Sequence, residues 1–192
     1  MDLLKEKLRL EIELKKSPFD EDIICLYACV LIENDEFEVA IELLKTKIKN
    51  KTSLKLLNNI AYIYMCEGYL SDGVWSDGEN EAIKILEKVK LTNPKSSFPH
   101  SMLGELYLKK NKYEEAIRAL KIAININETV ANYNNLGVAL FKQEKYEQAS
   151  VHFFKSHLLR ISEDYSFKPY LNYGICMALL GKKMKRKVLL II

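Results

Sequence analysis

The chain has few of the features that mark secreted, membrane-spanning or nucleic-acid-binding proteins. It holds four cysteines, and no apolar run approaches the roughly 18 residues of a membrane span. We therefore expect no membrane partner, and because charge and leucine alternate from the first residues on, we expect no signal peptide. The net charge of +3 is small and interleaved, so we expect no nucleic-acid partner. These absences predict, by default, a soluble cytoplasmic protein.

Residues with the chemistry of a catalytic or metal site are equally sparse. The chain has three histidines, and none is spaced from a cysteine, serine or carboxylate as a catalytic base would be. Cys25 and Cys29 are one helical turn apart, but no second cysteine pair or histidine completes a four-ligand zinc site. We therefore expect reduced thiols, no metal, no cofactor and no enzymatic activity.

The chain has instead a repeated pattern. Two stretches match with a constant offset of 33 residues, and the matched pairs are Gly104 with Gly137, Tyr113 with Tyr146, and Ala116 with Ala149. A fixed period of this length indicates an array of helical repeats. Looser copies place Ala28, Ala61 and Gly174 at the position of the two glycines. That position requires a small residue because the two helices of a repeat cross closely there.

The pattern divides the chain into an N-terminal helix and an array of about four to five repeats. Residues 1–17 predict an amphipathic helix that caps the first helix pair, because Leu3, Leu4, Leu8, Ile12 and Lys15 recur at spacings of three and four. The repeat ranges within 18–192 are approximately 21–53, 54–96, 97–129, 130–166 and an incomplete 167–192. In the last range we expect a helix around Gly174, a turn, and a short second helix from Met184.

The second repeat carries an insertion between its two helices. Ala61 and Ala82 are 21 residues apart where the other copies have 12, so nine extra residues lie within Gly68–Gly78. Two Asp-Gly pairs predict turns in this segment. Its tryptophan, Trp75, has two interpretations that stay open: it anchors a partner, or it folds back over the gap left by the insertion.

The Leu-Gly pair and the aromatic residue of the first helix, and the alanines of the second, resemble the tetratricopeptide repeat. The resemblance implies an all-α fold, a right-handed α-solenoid of stacked antiparallel helix pairs whose first helices line a concave groove. It also implies a scaffold that binds a peptide or an extended segment of a partner protein in that groove. Two alternatives stay open: a non-catalytic subunit of a larger complex that self-associates through its C-terminal end, and a peptide-sensing regulatory module.

The resemblance also implies which residues line the groove, when each repeat is counted so that its glycine or alanine is eighth. Asparagine recurs at the sixth position, and a side-chain amide can pair with the backbone of an extended peptide. The alternative interpretation is that asparagine is simply common at this position and has no role in binding. The cations of a chaperone-type carboxylate clamp are absent. The predicted groove residues are Asn58, Asn59, Tyr62, Met65, Ser101, Glu105, Asn134, Asn135, Val138, Phe141, Lys142 and Asn172.

Overall fold

The structure, a computed structural model, describes residues 3–47, 53–70, 77–159 and 168–189. Within these ranges it contains ten α-helices and no strand. The helices are α1 Leu3–Lys16, α2 Glu21–Glu33, α3 Phe37–Lys47, α4 Leu54–Leu70, α5 Asp77–Thr92, α6 Ser97–Lys109, α7 Tyr113–Ile126, α8 Val130–Lys142, α9 Tyr146–Leu159 and α10 Lys168–Leu189.

The helices belong to two compact units, Met1–Pro94 and Lys95–Ile192. In the first unit α1 packs on α2, α2 on α3, α3 on α4, and α4 on α5. In the second unit α6 packs on α7, α7 on α8, α8 on α9, and α9 on α10. Each helix therefore packs on the next one along the chain within its unit, and one helix pair falls within each of the first four predicted repeat ranges.

Three of the turns inside the helix pairs share one backbone design. At the α2–α3 turn the Glu36 N–H donates to the Leu31 carbonyl at 2.8 Å, and the Asp35 N–H donates to the Ile32 carbonyl at 3.0 Å. This pair of bonds is the Schellman motif, which satisfies carbonyls at the end of a helix and requires a left-handed residue after it. The same bonds recur at the α6–α7 and α8–α9 turns. The left-handed residues have φ near 60° and are Asp35, Asn111 and Glu144.

The predicted close crossing of helices is confirmed at the small residues. A Cβ built on Gly104 would lie 2.5 Å from the Leu120 Cγ, and one built on Gly137 would lie 2.6 Å from the Phe153 ring. Ala28 and Ala61, the corresponding residues of the first unit, are completely buried. Because each glycine faces a large side chain on the second helix of its own repeat, the two helices of a pair interlock.

The N-terminal helix α1 forms as predicted and ends before Pro18, but it packs on α2 through a different face than the leucine spacing indicates. Leu10 is fully buried in the core of the first unit, whereas Leu4, Leu8 and Ile12 are 75%, 58% and 47% exposed. Two polar contacts fix this orientation: Lys7 Nζ lies 2.7 Å from Glu36 Oε1, and the Tyr27 hydroxyl donates to Glu11 Oε1 at 2.7 Å. Spacing alone could not show which of the two apolar faces of α1 is buried. The contacts with Tyr27 and Glu36 decide which face points into the core.

The predicted turn in the last repeat is not formed, because α10 continues as one helix of 22 residues through Gly181. Gly181 stands seven residues after Gly174, where the other copies place their left-handed residue. A second helix would have to nest against Gly174 with Arg186 in the place of an alanine that is fully buried in the other copies. A large charged side chain cannot occupy that close crossing, so the helix keeps its own hydrogen bonds instead.

The predicted inserted loop, residues 68–78, is wrong at both ends, because α4 continues to Leu70 and α5 already begins at Asp77. Trp75 falls outside the described residues. The role of Trp75, as an anchor or as a cover for the gap, therefore stays a prediction.

The close crossing predicts opposite effects for two chemically identical substitutions. Gly137→Ala forces a Cβ into the Phe153 ring and should lower the free energy of unfolding by about 1–2 kcal/mol, an overpacking cost that exceeds the gain in helix propensity. Gly174→Ala is the matched control, since no atom of a described residue lies within 4 Å of the point that its Cβ would take, and it should raise stability by about 0.5–1 kcal/mol. Urea unfolding followed by circular dichroism measures both. Equal effects at the two positions would contradict the interlocking geometry.

The left-handed turn residue predicts a second pair of opposite effects. Glu144 is exposed and has φ 58°, so Glu144→Gly should stabilise the protein by roughly 0.5–1 kcal/mol by removing the strain of a Cβ at positive φ. Gln143 precedes it with φ −90°, and Gln143→Gly should destabilise by a similar amount because glycine loses more backbone entropy there. Thermal denaturation of the two variants tests this. Destabilisation by Glu144→Gly would show that the turn conformation is not the limiting feature.

Candidate functional site

In the second unit, a hydrogen bond between two of the predicted groove asparagines links α8 and α10, each of which is the first helix of its repeat. Asn172 Nδ2 on α10 donates to Asn134 Oδ1 on α8 at 3.2 Å. Asn135 is the next residue on α8 and is partly exposed, and its side-chain amide makes no hydrogen bond with a described residue. We call Asn134, Asn135 and Asn172 the amide face. The structure therefore brings together residues that are up to 38 positions apart in the sequence.

The neighbouring helix α6 contributes two predicted polar residues, Ser101 and Glu105. Ser101 Oγ donates to the Ser97 carbonyl within its own helix at 3.1 Å, so its oxygen remains able to accept. Glu105 Oε1 lies 3.7 Å from Lys109 Nζ, one turn further along α6, so its charge is locally balanced. Because α6 also packs on α8, these groups belong to the same unit as the amide face.

Three further predicted residues stand on α8 with different environments. Val138 and Phe141 are partly buried and pack against the core cluster of the second unit. The Phe141 ring makes an edge contact with Tyr146, with ring centroids 5.3 Å apart. Lys142 is exposed and forms no ion pair with a described residue. Lys142 therefore offers an accessible positive charge beside two partly buried apolar residues.

Two exposed apolar residues, Leu171 and Ile175, lie on α10 beside Asn172, and repeat counting also predicts Ile175 as a groove residue. Leu171 is 62% exposed and Ile175 is 44% exposed, and they flank Asn172 and Gly174 along the helix. Leu171 stands three residues before the glycine, as Asn134 does in the preceding repeat, so the same count that selects Asn134 also selects it. Leu171 is not among the predicted groove residues.

In the first unit the predicted residues are less available. Asn59 Nδ2 donates to the Lys55 carbonyl at 2.9 Å and lies 3.2 Å from Cys25 Sγ, so its donor group is already engaged. The Asn58 side-chain oxygen is buried without a hydrogen-bond partner among the described residues. Tyr62 is 46% exposed, but Met65 is 4% exposed and faces the protein interior. These positions present less polar surface than their counterparts on the second unit.

The described cysteines have the properties of structural thiols. Cys25, Cys29 and Cys176 are free. Burial, and then the charges of Cys29 and Glu21, raise the pKa of Cys25 to about 11. Partial desolvation and the charge of Glu33 raise the pKa of Cys29, and burial raises the pKa of Cys176. All three are therefore protonated near neutral pH, where a thiol is a poor nucleophile and metal ligand. No group of three His, Cys, Asp or Glu residues that could hold a metal occurs among the described residues.

His152 on α9 lies in an environment that disfavours its charged form. Its ring stacks on Tyr133, with centroids 6.0 Å apart and an interplanar angle of 23°. Burial lowers its pKa, and the nearby charges of Lys155 and Lys121 lower it further. Its Nδ1 atom is buried and has no hydrogen-bond partner within the described ranges.

Among the described helices, none combines the length and the apolar character that a membrane-spanning helix requires.

Comparison with known proteins gives one matching family and several similar structures. A sequence model of the TPR repeat matches residues 104–144, which span the Gly104 and Gly137 positions. A search of curated proteins finds no match. The fold resembles a thermophilic TPR protein of Thermus thermophilus, TTC0263, with a TM-score of 0.73 at 16% identity over 90% of this chain and 89% of that chain.

Two other similar structures come from named proteins. MamA of Desulfovibrio magneticus RS-1 gives a TM-score of 0.66 at 16% identity over 85% of this chain and 88% of that chain. A chain of the APC/C hetero-tetramer Cut9–Hcn1 gives 0.74 at 16% identity over 93% of this chain but 34% of that chain. Identities this low establish the fold only. Together with the matched repeat model, they confirm the predicted all-α, α-solenoid fold class. Residues 104–144 therefore match the tetratricopeptide repeat, and the chain has the fold of tetratricopeptide-repeat proteins.

Proposed function

We propose that the protein is an interaction scaffold that binds an extended segment of a partner protein along the amide face of its second unit. The observation that supports this is the pairing of Asn134 with Asn172, next to Asn135, whose amide makes no hydrogen bond within the described chain. A polar group that the fold itself does not use, on helices held in place by a core, is available for a ligand.

The amide face matches the chemistry of a peptide backbone. Each asparagine has two N–H donors and one carbonyl acceptor. The Asn134–Asn172 bond uses one donor of Asn172 and the acceptor of Asn134, so donors remain on both residues and both functions remain on Asn135. An extended segment presents alternating N–H and C=O groups regardless of its sequence, so this arrangement can recognise a backbone.

The residues around the amide face would add selectivity. Lys142 supplies an exposed positive charge, whereas the charge of Glu105 is already balanced by Lys109. Leu171 and Ile175 supply apolar surface on α10. We therefore infer that the preferred segment carries apolar side chains and an acidic residue, and that the protein acts by binding, with no chemistry of its own.

Removal of the amides should weaken capture of the partner. We expect the double variant Asn135→Ala with Asn172→Ala to retain about a tenth or less of the captured protein, because two or more hydrogen bonds of about 1 kcal/mol each are lost. Quantitative mass spectrometry of proteins captured from cell lysate on immobilised wild type and variant gives the measurement.

The matched control is Asn125→Ala, which removes an exposed asparagine from α7, a second helix of its repeat. Its captured proteins should equal those of the wild type, and the helical circular dichroism signal should be the same for all three proteins. If the double variant captures its partners undiminished, the binding surface lies elsewhere on the chain.

A second candidate function, that of a subunit that self-associates through its C-terminal end, is favoured by one specific observation. In complete repeats the small residue is covered, but no atom of a described residue lies within 4 Å of the place where a Gly174 Cβ would stand. Met177 on the same helix is 47% exposed, whereas its counterpart Leu140 is 3% exposed. Helix α10 therefore lacks, within the described ranges, the second helix that covers α8, and we propose that a helix from a second copy covers it.

Light scattering tests the second candidate. If a second copy covers α10, the wild type should have twice the monomer mass, and Met177→Glu should reduce it to the monomer because a charge would be buried in the contact. Ile122→Glu on α7 is the control, since Ile122 is exposed to nearly the same extent, 46% against 47%, and it should leave the mass unchanged. A monomeric wild type at tens of micromolar, a usual working range for obligate dimers, would contradict this candidate.

A further inference from the structure

We propose that the outward face of α1 binds an anionic phospholipid surface. This face carries Leu4, Leu8 and Ile12, which are 75%, 58% and 47% exposed. Residues four apart lie on one side of a helix, so the three side chains form an apolar stripe about two turns long. We call this stripe the outer face of α1. Scattered single apolar residues need no explanation, but three in register on one helix do.

The outer face is held outward by the contacts on the opposite side of the helix. Leu10 is buried in the core of the first unit, and Leu14 packs partly against it. The Lys7–Glu36 ion pair and the Tyr27–Glu11 hydrogen bond fix the rotation of the helix about its axis. The helix cannot turn its leucines inward without breaking these contacts. A partner therefore meets the stripe as a preformed surface.

The charges around the outer face are arranged for a negative partner. Arg9 is the nearest partner of two acids, with Glu6 at 2.9 Å and Glu13 at 3.6 Å. The third acid of the helix, Glu11, accepts the Tyr27 hydroxyl. Lys15 and Lys16 are exposed and pair with no described acid. The acids of α1 are thus engaged within the protein, and the exposed cations that border the end of the stripe are Lys15 and Lys16.

An anionic bilayer satisfies both the apolar and the charged part of this face. A helix that lies in the interface inserts its apolar stripe at the boundary of the acyl chains, while lysine and arginine reach the phosphates on long aliphatic stems. A second copy of the same face would instead bring like charges together, which disfavours self-pairing. The expectation of no membrane partner rested on the lack of a spanning segment, and an interfacial helix needs no span.

Vesicle sedimentation tests the proposal with the full chain. The wild type should sediment with vesicles of equal parts phosphatidylcholine and phosphatidylserine, and should stay in the supernatant with phosphatidylcholine alone. Leu4→Ser with Leu8→Ser should weaken binding about tenfold or more because the apolar insertion is lost. Lys15→Gln with Lys16→Gln should weaken it by a comparable factor, and added salt should reduce binding of the wild type.

The controls use residues of the same type and exposure away from α1. Leu26→Ser removes a 53% exposed leucine of α2, and Lys88→Gln with Lys121→Gln removes two exposed lysines; all three should leave binding unchanged. Three outcomes would overturn the proposal: equal binding to both vesicle types, equal loss in the controls, or no vesicle binding at all. A drop in mass by light scattering in the Leu4→Ser, Leu8→Ser variant would show that a second copy covers the stripe instead, and would overturn it too.

Discussion

The fold depends on the distance at which two helices cross. Where Gly104 and Gly137 stand, the facing side chains of Leu120 and Phe153 come so close that a single added carbon would collide with them. Alanine serves the same purpose in the first unit, where Ala28 and Ala61 are fully buried. Because each pair is locked at this crossing, the outward faces of the helices are free to differ from one repeat to the next. The amide face is one such difference.

The two helices of a pair can cross closely only if the turn between them reverses the chain with a fixed geometry. Asp35, Asn111 and Glu144 all take up the left-handed conformation, and each lies seven residues after the small residue of its repeat. Gly181 could take up this conformation more easily than any of them, yet α10 runs straight through it. A turn is thus formed only when the helix that follows can pack, since local preference is worth far less than the burial of a helix face.

The uneven ends of the two units follow from the same rule. A helix inside a unit is covered on several sides, but α1 and α10 each keep an apolar surface that no described residue covers. On α1 that surface is bordered by cations, and on α10 it surrounds the open position at Gly174. The two surfaces differ in charge and shape, so the partners that we propose for them also differ. The amide face belongs to the second unit and the outer face of α1 to the first, so a variant at one should leave the other intact.

The sequence by itself determined the repeat type, the helix pairs and the small residues at the crossings, because these depend on spacing along the chain. It also placed Asn135 and Asn172 at the same repeat position, whereas the hydrogen bond in the structure joins Asn172 to the neighbouring Asn134. Only the tertiary structure decided which face of α1 is buried, that α10 does not turn, and that Met65 points inward while Leu171 points outward. The physical reason is that periodicity along one helix defines its faces, whereas the energy gained from a neighbouring helix decides which of those faces is buried.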